Sequence, residues 1–237
     1  MAPLAGSLYR IVESQEEVAT RSLVSTLEEQ AVLEGLLERN KPAMPAGAIP
    51  LHYLLSTPFR YPPLRHGSRF GHRHEPSLFY GSLSVPTVLA ESAFYRLVFW
   101  DGMAVPPAKP LTTQHTIFAA RYGSERGIRL QSPPFDRFRR ELTDRSRYTS
   151  TQALGHAMRD AGVEVFEFVS ARDPEQGLNV ALFTPDALVS RRPDLTQAWL
   201  AETSAGGVSF YCRENGEMRG YDRATFAVEG LVPLPAA

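Results

Sequence analysis

The run Gly67–Glu91, GSRFGHRHEPSLFYGSLSVPTVLAE, decides how this chain is read. A small-residue turn, Gly67-Ser68-Arg69-Phe70-Gly71, leads into apolar Leu78-Phe79-Tyr80, which Gly81-Ser82 closes as a short strand. Pro86 suits the first turn of a helix. The spacing of Val88, Ser92, Tyr95 and Phe99 predicts a buried stripe on that helix, which Asp101-Gly102 ends. Glu91 falls three residues after Val88 and four before Tyr95, on or beside the stripe. A carboxylate there needs a partner, because an unpaired buried charge is costly. An arginine, an aromatic and a carboxylate therefore arrive on a turn, a strand and a helix. That combination suits an anionic, ring-bearing ligand.

Upstream of this run, Leu8-Tyr9-Arg10-Ile11-Val12 reads as an opening strand. Ser14–Glu17 and Thr26–Glu29 both have capping-box spacing, and Val18, Leu23, Leu27, Ala31 and Leu33/Leu36/Leu37 recur at helical intervals. One broken helix or two successive helices are expected to about Arg39, ended by the Pro/Gly/Ala connection Lys41–Pro50. The residues before that connection are too few for an independent core, so residues 14–50 are read as a helical insertion in a single domain spanning 1–237. Leu51–Arg65, with three clustered prolines, reads as an irregular loop that brings Arg60 and Arg65 close in sequence to Arg69.

Downstream, strands are expected at Gln114–Tyr122, with Ile128–Leu130 pairing onto it, and at Val163–Val169, Leu178–Phe183, Gln197–Glu202, Val208–Arg213 and Thr225–Val228. Helices are expected at about Phe135–Thr143 and Thr151–Ala161, the second stopped by Gly162. Gly206-Gly207 reads as a hairpin turn. This mixture of strands and helices is α/β or α+β.

Composition narrows the function. With 43% hydrophobic and 22% charged residues the chain is ordinary for a soluble protein, and no apolar run reaches the roughly 18 residues of a membrane helix. The N-terminus lacks a secretory pattern, and Cys212, the one cysteine, excludes an internal disulfide and fits a reducing cytoplasm. A net charge of -1 argues against direct nucleic-acid binding. Arginine supplies nearly all the positive charge, a bias that a GC-rich genome would also produce, yet guanidinium offers planar, bidentate donors for phosphate and carboxylate, which lysine does not.

Several chemistries lack their signatures. Neither GxGxxG after a strand nor GxxxxGK[ST] occurs, no G-x-S-x-G elbow supports a serine triad, and His66, His72 and His74 lack HExxH spacing for a metal. Cys212 within a strand reads as packed rather than nucleophilic. Taken singly, Arg69 in a turn, Glu91 on a helix and Ser170 at a strand end are residue types most often found solvated or capping. The residues alone stop at a mixed domain with an anion pocket.

The order YR…GSRF…LFYGS…AES…FVSARDPEQGLNVALF resembles the RES domain family, from Tyr9 to about Pro185. On that resemblance Arg69, Glu91 and Ser170 match the family's arginine, glutamate and serine, while Arg10 and Tyr80 match positions that line the same pocket. Ser68 and Phe70 stand where Gly and Trp are common, so Phe70 keeps the aromatic and joins Arg60 among the expected substrate-binding residues. The resemblance implies an α+β domain similar to ADP-ribosyltransferases, with a split mixed sheet around an NAD⁺ cleft. It implies a toxin that breaks the nicotinamide–ribose bond, by phosphorolysis to ADP-ribose 1″-phosphate, or by transfer of ADP-ribose to a protein. A non-catalytic partner-binding module with the same fold is the third reading. NAD⁺ and inorganic phosphate would be substrates, no cofactor or metal is required, and an Xre-like helix-turn-helix antitoxin is the implied protein partner.

Overall fold

The structure, a computed structural model, describes residues 1–14 and 24–234. Its frame is one mixed sheet of β1 (Ala2–Glu13), β2 (Phe79–Ser82), β3 (Leu111–Arg129), β4 (Val165–Val169), β5 (Leu178–Leu182), β6 (Leu195–Thr203), β7 (Gly207–Cys212) and β8 (Met218–Asp222). Strand order is β1-β2-β5-β4-β3-β6-β7-β8, and β1 also pairs along β3. Only β3 and β4 run parallel; the other neighbours are antiparallel.

β3 explains how the sheet splits. One of its edges pairs with β1, from Ala2 opposite Gly127 to Glu13 opposite His115. The other edge serves two strands in turn: β6 along Leu111–Ala119, then β4 along Gly127–Arg129. Strands β1, β2, β5, β4 and β3 thereby close into a ring, while β6, β7 and β8 continue as an open arm. The ring is filled from all five strands by Leu8, Phe79, Phe118, Val165, Val180 and Leu182. The fold is α+β with a split mixed sheet, as the resemblance implied.

Five α-helices flank the sheet among the described residues: α1 (Leu27–Asn40), α2 (Tyr53–Arg60), α3 (Val85–Asp101), α4 (Arg139–Leu142) and α5 (Thr149–Asp160). Thr26 and Glu29 form the capping box read at the start of α1. The rest of the second such spacing, after Ser14, and the apolar positions Val18 and Leu23 lie outside the described residues. Ser84 caps α3 by accepting from the Thr87 amide at 3.3 Å, an arrangement worth about 1 kcal/mol. Leu89, Ala93, Phe94 and Leu97 of α3 pack on Ile117 of β3 and on Trp199 and Phe210 of the open arm. Each large side chain so buried contributes roughly 1.5–3 kcal/mol.

Four expectations need correction. Leu51–Arg65 is not all irregular: α2 forms within it and accommodates Pro58 near its C-terminal end, where few turns remain to be broken. Gln114–Tyr122 and Ile128–Leu130 are not separate strands but parts of β3, whose pairing with β1 carries it through the polar stretch between them. Thr225–Val228 is not sheet; the last strand is β8, whose mostly exposed residues carry no apolar alternation to read. The stripe on α3 is the fourth. Val88 is buried, but Tyr95 and Phe99 are 49% and 60% exposed, because the core seam runs through Leu89, Ala93 and Leu97 instead. Val88, Glu91, Ser92 and Tyr95 form the wall of a cleft.

Candidate active site

The cleft encloses about 1190 Å³ between β1, the 66–69 turn, α2 and α3. That is somewhat above the usual range of small-molecule sites, roughly 300–1,000 Å³, and leaves room for a dinucleotide. Arg10, Arg60, Arg69, Tyr80 and Glu91 all line it.

Glu91 projects from the second turn of α3 and is half-buried. Ser170 donates its hydroxyl to Glu91 Oε1 at 2.6 Å, and Asn179 donates Nδ2 to the same oxygen at 2.6 Å. The two donors come from opposite ends of the β4–β5 connection. Asn179 is itself oriented by Ser82, which donates Oγ to Asn179 Oδ1 at 2.7 Å across the paired strands β2 and β5. With Oδ1 used as an acceptor, the amide has to present Nδ2 to the carboxylate. Among the described residues no hydrogen bond reaches Glu91 Oε2.

Ser170 is 3% exposed and stands behind Glu91. Its oxygen also accepts from the Arg172 amide at 3.1 Å and the Asp173 amide at 2.9 Å, so three contacts fix the rotamer that points at Glu91. Asp173 organises the rest of this loop. Its carboxylate accepts from Thr87 Oγ1 at 2.8 Å and the Gly177 amide at 3.2 Å, tying the loop to the start of α3. Ser170 acts on Glu91 and not on the cleft.

The arginines differ in their surroundings. Arg10 donates Nη1 to the Tyr80 carbonyl at 2.6 Å and lies 5.2 Å from the Phe79 ring centroid, while its Nε is buried without a partner. Burial lowers its pKa to about 10, so it stays charged at neutral pH in surroundings that favour arrival of an anion. Arg69 donates Nη1 to the carbonyls of Asp144 at 2.7 Å and Leu142 at 3.4 Å, and its guanidinium faces the Tyr148 ring at 4.5 Å. Arg60 is spent elsewhere: Nη1 pairs with Glu38 of α1 at 2.7 Å and Nε donates to the Pro42 carbonyl. It ties α1 to the cleft wall.

Tyr80 lines the cleft as expected, and the placement of Phe70 is what changes. Tyr80 holds the turn that carries Arg69: its hydroxyl is 2.9 Å from Ser68 Oγ and accepts from the Phe70 amide at 3.1 Å. Burial pushes this phenol up to about 12. Phe70 does not line the cleft at all. It is fully buried, edge-on to Phe166 at 4.9 Å and Phe168 at 4.8 Å, because the turn points its apolar ring down into the core and Arg69 up into the cleft. Gly67, at φ 74° and with the Gly71 carbonyl 2.4 Å from where a Cβ would stand, makes this tight reversal possible.

Asn179, Ser82 and Tyr148 were missed in the sequence. Asn179 and Ser82 are buried strand residues, and only the β2–β5 register reveals that they meet. Tyr148 sits before α5 with no pattern to mark it. His156 and His72 serve structure: His156 Nδ1 contacts Glu75 Oε1 at 2.8 Å and packs on His72, pinning the 72–75 loop to α5. No group of three or more His, Cys, Asp or Glu able to hold a metal occurs among the described residues. No helix among them is long and apolar enough to cross a membrane. Cys212 is buried, 3.2 Å from Glu214 Oε2.

The model of the RES domain matches residues 45–203, more than half of the chain. The match takes in Arg69, Tyr80, Glu91 and Ser170 and begins after Arg10 and α1. No curated protein matches the chain.

Proposed function

The chain belongs to the RES domain family, which is associated with NAD⁺-acting enzymes, and we propose that its cleft binds NAD⁺ and breaks the nicotinamide–ribose bond. One observation carries the reading: the cleft presents a carboxylate, Glu91, with one oxygen held by two donors, beside the cationic side chains of Arg69 and Arg10.

The chemistry follows from those groups. As the bond from ribose C1 to the nicotinamide nitrogen stretches, its electron pair returns to the pyridinium ring, which leaves neutral and needs no acid. Positive charge grows on C1 and the ring oxygen. Glu91, with Oε1 engaged by Ser170 and Asn179, offers Oε2 to a ribose hydroxyl and to that charge. Arg69 and Arg10 hold the pyrophosphate. An oxygen of inorganic phosphate then bonds to C1, giving ADP-ribose 1″-phosphate, and the phosphate proton passes to solvent. Serving as a toxin of a bacterial cytoplasm, restrained by an Xre-like antitoxin, belongs to the same proposal and rests on family membership.

The test is incubation of the purified chain with NAD⁺, with and without phosphate, followed by mass spectrometry of the products. Phosphate-dependent loss of NAD⁺ with release of nicotinamide and a phosphorylated ADP-ribose is expected. A protein adduct of ADP-ribose would replace phosphorolysis by transfer, and an NAD⁺ pool left intact under both conditions would reject the enzymatic reading.

A further inference from the structure

Arg69 is aimed as well as present. Its guanidinium has one nitrogen, Nη1, committed to the carbonyls of Asp144 and Leu142. Among the described residues no hydrogen bond is made by Nε or Nη2. That free edge is the one whose two parallel N–H groups take two oxygens of a single phosphoryl group. The plane of the fork is set by Tyr148, whose ring centroid lies 4.5 Å from the guanidinium carbon.

Tyr148 is in turn held from the core side. It is 3% exposed, and its hydroxyl accepts from Arg172 Nη2 at 3.1 Å. The same Nη2 donates to the Arg145 carbonyl at 2.7 Å. Arg172 is 2% exposed, stacks on Phe94 with its guanidinium carbon 3.5 Å from the ring centroid, and keeps Nη1 buried without a partner. Burying a guanidinium on a phenol, a carbonyl and a ring face, with no carboxylate paired to it among the described residues, costs stability. The segment Leu142–Tyr148 is thus gripped by two arginines, one on its cleft side and one on its core side. Arg172 also follows Ser170 by two residues and donates its amide to that hydroxyl, so one residue touches the supports of both Arg69 and Glu91.

We infer that Tyr148 is a positioning residue for Arg69, locked by Arg172, and that together they fix the guanidinium edge that recognises the phosphoryl groups of the ligand. The inference rests on the NAD⁺ reading for the identity of the ligand, but not for the orientation of Arg69. It makes binding of the phosphoryl part of the substrate depend on a buried aromatic of the cleft lining that stands against Arg69.

The experiment compares Tyr148→Phe, which keeps the ring, with Tyr148→Leu, which removes it. ADP-ribose, which retains the pyrophosphate and lacks nicotinamide, is the calorimetric probe. Tyr148→Leu is expected to weaken ADP-ribose about tenfold, the scale of a desolvated cation–π contact, and Tyr148→Phe by less than that. In turnover the Leu variant should raise KM for NAD⁺ more than it lowers kcat. A second readout needs no ligand: ¹⁵N relaxation of the Arg69 Nε–H group. The side chain should be ordered in the wild type and in Tyr148→Phe, and mobile in Tyr148→Leu. Circular dichroism and thermal melting select folded variants for these comparisons. A folded Leu variant with an ordered Arg69 overturns the inference, as does equal loss of ADP-ribose affinity in the Phe and Leu variants. If the wild type neither binds ADP-ribose nor consumes NAD⁺, the functional reading falls, and the relaxation data still decide the role of Tyr148.

Discussion

Asn179 donates its amide to Glu91 Oε1 at 2.6 Å, joining a central strand to a helix residue 88 positions earlier in the chain. Ser170 meets the same oxygen at the same distance. A carboxylate approached by two short donors on one side has a fixed plane, and its second oxygen has a fixed direction. This is positional control of a charge, achieved by two neutral side chains that bring no competing charge into the cleft.

Glu91→Gln tests the charge at nearly constant shape. The carbonyl oxygen of the substituted amide can still accept both hydrogen bonds, but it cannot stabilise cationic charge on the ribose. Turnover of NAD⁺ is expected to fall by about 10²–10³-fold, the usual scale for removing one preorganised electrostatic group. The melting temperature should change little. Full turnover in the Gln variant would remove Glu91 from the chemistry.

Ser170→Ala separates positioning from stability. The hydroxyl accepts from two buried amides, Arg172 and Asp173, so its loss leaves both without that acceptor. A cost of about 1–3 kcal/mol in unfolding free energy is expected by denaturant titration. Turnover should fall as well, yet by less than in Glu91→Gln, because Asn179 still holds Oε1. A Ser170→Ala protein as stable as the wild type would contradict the loop geometry described above.

Tyr80 gives a pH dependence. Its phenol titrates near about 12 in the folded protein, raised first by burial, against an ordinary value near 10. A raised folded value means the neutral phenol is favoured by the fold. The associated stability is fully present below about pH 10 and is lost as pH rises through about 12. Tyr221 is pushed up to about 12 as well, so the comparison has to be with Tyr80→Phe. Wild type minus variant stability should decline between those pH values, while remaining flat from pH 7 to 9. Tyr80→Phe should also strip the Phe70 amide of its acceptor and loosen the turn that presents Arg69.

His115 gives the opposite limb. It is 5% exposed, and Arg96 Nη1 lies 2.8 Å from its Nε2. Because guanidinium can only donate, Nε2 has to be the acceptor, and the imidazole is neutral. Burial first, and then the Arg96 charge, lower its pKa to about 4. The unfolded chain binds a proton near pH 6.5 and the folded chain does not, so this stability is present above about 6.5 and is lost as pH falls towards 4. Difference titration of wild type and His115→Asn should show a decline over that interval; parallel curves would mean that the imidazole is not held neutral.

How much of this was legible in the sequence depends on how far apart the cooperating residues lie. The Gly67–Glu91 run has its turn, strand and helix in the expected order because Gly67, Gly81, Ser84 and Pro86 are local signals of backbone shape. β3 was read as two strands because its continuity comes from its neighbours, not from its own alternation. The direction of Phe70 was illegible for a related reason. A turn of five residues can send its aromatic either way, and only the Phe166–Phe168 pocket decides it. Arg60 lines the cleft as expected, but its charge is used by Glu38, a pairing between two helices that spacing does not show.

Gly155 on α5 offers a test of how the turn is supported. A Cβ added there would stand 1.9 Å from the Phe70 carbonyl oxygen and 2.7 Å from its carbonyl carbon. Both atoms are backbone, so no side-chain rotation can relieve the overlap. In a solvent-exposed helix interior, Gly→Ala would stabilise by roughly 0.5–1 kcal/mol. Here the helix has to move off the turn, or the turn off the helix. Moving the turn displaces Arg69, and it strains the Gln152 side chain, which donates Nε2 to the His66 and Ser68 carbonyls at 3.0 Å. Gly155→Ala is therefore expected to lower the melting temperature and to raise KM for NAD⁺, although residue 155 lies outside the cleft. A variant more stable than the wild type with unchanged KM would show that α5 does not brace the Arg69 turn.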